Sequence, residues 1–208
     1  MTRSLFSLRH VALLILLFSA VEPAVALPPA KAALMLQAAR ELKGVPYTFG
    51  GRLREGEGID CLGLIYFAAE RVGPCGWKSF SVNPTTLVKR KELGVPVPGL
   101  SPAAVDAFDA GALQPGDVVF LLSPSKNPAE PSIASIDGGA MWVWHTGLAT
   151  EDGRFIEADI PTVIEPDLNE YLHLYGYAGI YVLRMKDGPK PATCRKHAPM
   201  QRPDAGVN

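Results

Sequence analysis

The sequence predicts an α+β fold, with N-terminal helices packed on one side of an antiparallel β-sheet. Three features of the chain point to it. Helical periodicity lies in the first part of the chain, apolar runs of strand length recur from Val118 onward, and a hairpin signal at Glu151-Asp152-Gly153 joins two of those runs.

The chain opens with Arg3 and Arg9, an apolar run from Val11 to Val21, and the small-residue site Ala24-Val25-Ala26. The run is too short for a spanning helix, which needs about 20 residues. Together these marks predict a signal peptide over 1–26, a domain over 27–186, and a proline-rich, disordered tail over 187–208. The mature chain is then expected to be periplasmic or secreted. It holds no second stretch long enough to cross a membrane. Loss of Arg3, Arg9 and Glu22 shifts the formal charge from −1 to −2, which gives no electrostatic case for nucleic acid.

Pro29–Lys43 has helical spacing, with Leu34, Ala38 and Leu42 on one face and Gly44 as the stop. A polar, glycine-rich loop follows. Asp60 then stands as the N-cap of an apolar helix over 61–72, closed by Gly73-Pro74. Helical scraps are expected at 85–93 and 102–108. Strands are expected at 118–122, 141–150, 154–159 and 178–185. The segment Ser123–Ala140 reads as a long loop just before the strand carrying His145, and is expected to border a cleft and restrict access to it.

Cys61 stands at the first turn of its helix. There the positive end of the helix dipole and unpaired N–H groups favour the thiolate, which is the nucleophilic form. Cys75 and Cys194 have loop-like surroundings and are expected to pair, leaving Cys61 free. A thiol nucleophile needs a base. Of the mature histidines, His197 lies in the tail and His173 reads as partly buried and structural, while His145 sits on a strand with apolar flanks. Across the hairpin centred on Asp152, residue 145 falls opposite 159, with 157 a diagonal away on the same face. Glu157 or Asp159 is therefore placed to orient the ring. There is no HExxH, CxxC or GK[ST] element, so neither a metal site nor a phosphate cradle is expected.

The blocks Pro46–Gly51 (PY-x-x-GG), Asp60–Leu64 (DC-x-GL), Pro115–Phe120 (PGDVVF), His145–Leu148 (H-x-G-L) and Asp152–Ala158 (DGRFIEA) occur in the order that resembles the NlpC-type cell-wall peptidases. The resemblance implies a papain-like domain in which Cys61 is the nucleophile, His145 the base and Glu157 the third residue. It implies that Tyr47 helps bind substrate or the oxyanion, and that Asp60 holds a free amino group of a stem peptide. The implied reaction is amide hydrolysis in peptidoglycan stem peptides, between D-glutamate and a diamino acid, with no cofactor or metal. Two residues depart from the pattern: Leu62 replaces a common serine, and Glu157 replaces a common His, Asn or Gln. These departures keep two alternatives open, a catalytically silent wall-binding protein and an amidase acting on another small amide.

Overall fold

The computed structural model describes residues 26–54, 57–187 and 200. Residues 1–25 of the expected signal peptide, most of the expected tail and Cys194 fall outside those residues. Met200, the one described residue beyond Asp187, is buried in the main apolar cluster, and its N–H donates to Glu70 Oε2 at 2.8 Å. No helix among the described residues is long and apolar enough to cross a membrane.

Helix α1 spans Pro29–Arg40, with proline in the first turn, where the missing N–H has no helical partner to lose. Its buried arc is Ala32, Met35, Leu36, Ala38 and Ala39, continued by Leu42 in the turn beyond. The expected stripe through Leu34 is corrected, because Leu34 is exposed. A strict spacing of four drifts around a helix of 3.6 residues per turn, and Leu34 falls beyond the buried arc.

Helix α2 spans Cys61–Glu70, and every residue from Leu62 to Ala69 is buried. Asp60 caps it, accepting the Gly63 N–H at 2.6 Å. A Cβ at Gly63 would meet the Gly51 carbonyl oxygen at 2.5 Å, so the glycine lets the preceding loop lie against the helix start. Helix α3 is Pro84–Arg90, capped by Asn83 and ended by Lys91 in the left-handed region.

The strands are β1 (Gly94–Pro96), β2 (Ala103–Ala104), β3 (Val118–Ser123), β4 (Ala134–Ile136), β5 (Gly139–Ala149), β6 (Phe155–Ala158), β7 (Val163–Ile164) and β8 (Gly179–Met185). Their order is β1-β8-β3-β5-β6-β7, with β2 also on β8 and β4 also on β5, and each pairing is antiparallel. The helix expected at 102–108 is instead β2 and turns. The short β2 pairs with β8, and the Val105 N–H donates to the Ala178 carbonyl, so backbone pairing to the sheet overrides the local helical pattern.

Strand β3 is buried on both faces and divides the core. Val118, Phe120 and Leu122 join the cluster built on α1, α2 and α3. Val119 and Leu121 join a second cluster with Leu168, Tyr171 and Leu172 of α4 (Leu168–Leu174). The fold is thus α+β with an antiparallel sheet as expected, and α4 adds cover to the sheet's second face. Burying each such Leu, Val or Phe contributes about 1.5–3 kcal/mol.

Candidate active site

The hairpin of β5 and β6 has the register Gly147↔Glu157, Leu148↔Ile156, Ala149↔Phe155. Side chains alternate along a strand, so His145 shares a face with Gly147 and lies diagonally from Glu157. Gly147 matters here because a Cβ would strike the Phe155 ring at 2.6 Å and the Ile156 carbonyl at 2.7 Å. Between Leu121 and Leu122 of β3 the pairing with β5 slips by one residue, so that Leu121 faces His145 and Leu122 faces Val143. Trp144 is left over at that bulge, exposed beside His145 on the cleft wall.

Nε2 of His145 lies 2.9 Å from Glu157 Oε2. With the carboxylate as acceptor, Nε2 carries the proton and Nδ1 is left for the sulfur. The two hairpin carboxylates, both within reach by register, take different tasks. Asp159 Oδ2 accepts from the Tyr171 hydroxyl at 2.7 Å, and Oδ1 accepts from the Ile160 N–H. Tyr171, which sequence reasoning missed, also stacks on the His145 ring with centroids 6.1 Å apart. Among the described residues no donor reaches Glu157 Oε1, and Glu157 is fully buried.

Burial works to lower the His145 pKa, yet hydrogen bonds and charge from Cys61 and Glu157 raise it to about 10. Burial pushes the Glu157 carboxyl upward, and His145 opposes this. Burial, then the Cys61 charge, raises the Tyr47 hydroxyl to about 12, so it remains a hydrogen-bond donor at neutral pH. Cys61 is the free, half-buried thiol, while Cys75 is disulfide-bonded. Cys61, His145, Tyr47 and Asp60 line one cleft of about 630 Å³. Asn127, Ala129 and Glu130 form part of its wall, so the segment before β5 borders the cleft. Trp142 Nε1–H, donating to the Glu130 carbonyl, and Trp144 Nε1–H, donating to the Ser125 carbonyl, fasten that wall to β5.

Asp60 is more heavily engaged than a helix cap requires. Oδ1 accepts from Gly63 N–H and from Arg52 Nη1, and Oδ2 accepts from Gly50 N–H at 3.0 Å. Arg52 is the second residue that sequence reasoning missed. It stands directly after the glycine pair, and only the return of the loop, with Arg52 bridged to Ile59, brings it back to Asp60. His173 is exposed on α4, its Nε2 facing Asp106, which corrects the expectation of a partly buried position.

Among the described residues, one trio, His145, Glu157 and Asp159, brings ligand-type atoms within 4.8 Å of one another. Nε2 and Oε2 of that trio already face each other, and Asp159 Oδ2 is held by Tyr171.

With this geometry in place, three solved structures are instructive. An N-acetylmuramoyl-L-alanine amidase from Bacteroides uniformis matches with a TM-score of 0.54 at 15% identity, over 76% of this chain and 99% of its own. NlpC1 from Trichomonas vaginalis matches with a TM-score of 0.50 at 19% identity, over 75% of this chain. The fold is of the NlpC type. NlpC2 from the same organism agrees, with a TM-score of 0.50 at 18% identity over 74% of this chain. The present chain covers less than half the length of either Trichomonas protein, 44% and 47%. No family model and no curated protein matches the sequence. At these identities the likeness speaks to the papain-like α+β architecture, in which a helix N-terminus meets an antiparallel sheet. The likeness assigns no role to Cys61, His145 or Glu157.

Proposed function

We propose that this NlpC-fold protein is a cysteine hydrolase that cleaves amide bonds in peptidoglycan stem peptides, at the D-glutamyl–diamino acid bond. The observation that carries the reading is a buried imidazole set between a free thiol at a helix N-terminus and a fully buried carboxylate. The solved structure of similar fold named as an N-acetylmuramoyl-L-alanine amidase supports a cell-wall substrate. The leader-like residues 1–26 support action outside the cytoplasm.

The chemistry is acyl transfer. His145 Nδ1 takes the Cys61 proton, and the resulting imidazolium is held by Glu157 through Nε2–H. The sulfur attacks the amide carbon, and negative charge develops on the carbonyl oxygen. The Cys61 backbone N–H, at the start of α2, and the Tyr47 hydroxyl, which shares the cleft, are the proposed donors to it. The imidazolium then protonates the departing amine, leaving a thioester. Water, deprotonated by His145, attacks the thioester and regenerates the thiol.

The test is digestion of muropeptides by the mature protein beside Cys61→Ala, with products read by mass spectrometry. Cleavage at the D-glutamyl–diamino acid bond, lost in the variant, is the expected result. Binding without cleavage by both proteins would favour a silent wall-binding role, and cleavage confined to unrelated amides would move the substrate elsewhere.

A further inference from the structure

The cleft holds a second buried ion pair, Arg52 with Asp60, just before the nucleophile. Both oxygens of Asp60 already accept from the protein: Gly63 N–H and Arg52 on Oδ1, Gly50 N–H on Oδ2. Arg52 is not loosely placed. Its Nη1 also donates to the Gly51 carbonyl at 2.6 Å, and its guanidinium lies over the Tyr66 ring at 5.4 Å and the Trp77 ring at 6.0 Å. Only 7% of the residue is exposed.

A substrate ammonium therefore meets a carboxylate already neutralised by a fixed cation. Leu62 beside it offers no acceptor, and Arg54, stacked over Trp77 at 5.8 Å, adds a second positive charge to the same end of the cleft. Moving an ammonium out of water to a carboxylate already paired with one guanidinium, with a second guanidinium nearby, is less favourable than moving it to an unpaired carboxylate. A neutral acceptor fares differently. It brings no charge into the field of the guanidiniums and no ammonium to strip of water; Arg52 Nε, buried, has no hydrogen-bond partner among the described residues. Phe49, 90% exposed, Val82, 65%, and Trp144, 49%, give the same cleft an apolar surface alongside the polar Asn127 and Glu130.

We infer that this site takes stem peptides whose N-terminus is acylated, with the acyl substituent on the Phe49–Val82–Trp144 surface, and that Arg52 excludes peptides with a free N-terminal amine by occupying Asp60. The inference rests on the stem-peptide reading above and deepens it. The substrate it selects is a stem still joined through its N-terminal amide, in preference to the released peptide.

The test uses two probes, a stem tripeptide containing the D-glutamyl–diamino acid bond and its Nα-acetyl form. Binding of each is measured by calorimetry to Cys61→Ala, and cleavage of each by the wild-type chain. The acetylated form is expected to bind at least about tenfold more tightly, the scale of one hydrogen bond to a charged group. Arg52→Gln, which frees Asp60 while keeping a polar side chain, is expected to move the ratio toward the free amine by about tenfold or more. Its melting curve establishes that the variant is folded, and the wild-type ratio stands without it. Tighter binding of the free amine by the wild-type site, equal binding, or no binding of either peptide overturns the inference. Cleavage of both peptides without preference would sink the inference and leave the hydrolase reading intact. Preferential binding without cleavage would do the reverse.

Discussion

Two buried carboxylates sit at the two sides of Cys61, and they are treated in opposite ways. Among the described residues Glu157 has a histidine on one oxygen and no partner on the other, whereas Asp60 has both oxygens occupied, one of them by an arginine. A carboxylate facing a permanent cation is neutralised before any reaction begins. One facing an imidazole is free to respond when that ring gains a proton. In the proposed mechanism Glu157 belongs to the chemistry, and Asp60 to the helix start and the adjoining subsite.

That contrast is sharpest in a pair of alanine variants. Glu157→Ala is expected to lower kcat by about a hundredfold to a thousandfold with little change in KM, because the charge on the imidazolium matters most in the transition state. Asp60→Ala removes a cap and strands a buried arginine, and is expected to destabilise the fold by about 3–5 kcal/mol in denaturant titrations. If Asp60→Ala left stability intact while Glu157→Ala unfolded the chain, the division of labour would be reversed.

A milder substitution separates charge from hydrogen bonding. Glu157→Gln keeps an acceptor for Nε2–H and loses the charge, and an activity loss of about tenfold is expected. The pH profile carries the same information. His145 is raised above its ordinary 6.5 to about 10, so the proton it holds is kept until pH rises through that value. Activity needing the imidazolium is expected to fall along an alkaline limb near pH 10. In Glu157→Gln that limb is expected at lower pH, since one of the two groups raising the histidine has gone. Stability follows the same sign, with the contribution complete below 6.5 and lost as pH rises through about 10.

Smaller effects probe the frame around the pair. Gly147→Ala drives a methyl into the Phe155 ring and the Ile156 carbonyl, and is expected to cost about 1–3 kcal/mol, read as a lowered Tm. Glu165 follows Ile164, the register partner of Glu157, and is not among the residues lining the cleft. Burial raises its pKa, but Arg40 and Lys43 overcome this and hold it at about 2 against an ordinary 4.5. Its contribution to stability is present above 4.5 and lost as pH falls through about 2, and Glu165→Gln is expected to flatten that acid dependence.

Much of this was legible in the sequence because the signals were local. The cap at Asp60, the apolar run behind it and the turn at 151–153 fixed α2 and the hairpin, and simple counting across that turn placed 145 against 157 and 159. What counting left open was which carboxylate would turn to the ring. That choice depends on Tyr171, which takes Asp159, and Tyr171 comes from α4, an element whose pattern in LNEYLHL is too short to announce itself. Arg52 was hidden for a related reason. Its partner lies eight residues on, across a glycine-rich turn whose path has no periodic signature. The Pro102–Phe108 scrap was misread because local propensity is weak against an available strand edge.

The activation of Cys61 by His145 is tested most directly by the rate at which iodoacetamide alkylates Cys61 at pH 6, followed by intact mass in the wild-type chain and in His145→Ala. The account predicts that the wild-type sulfur reacts at least about tenfold faster, because the imidazole draws off its proton and holds the thiolate. Equal rates in the two proteins would contradict it.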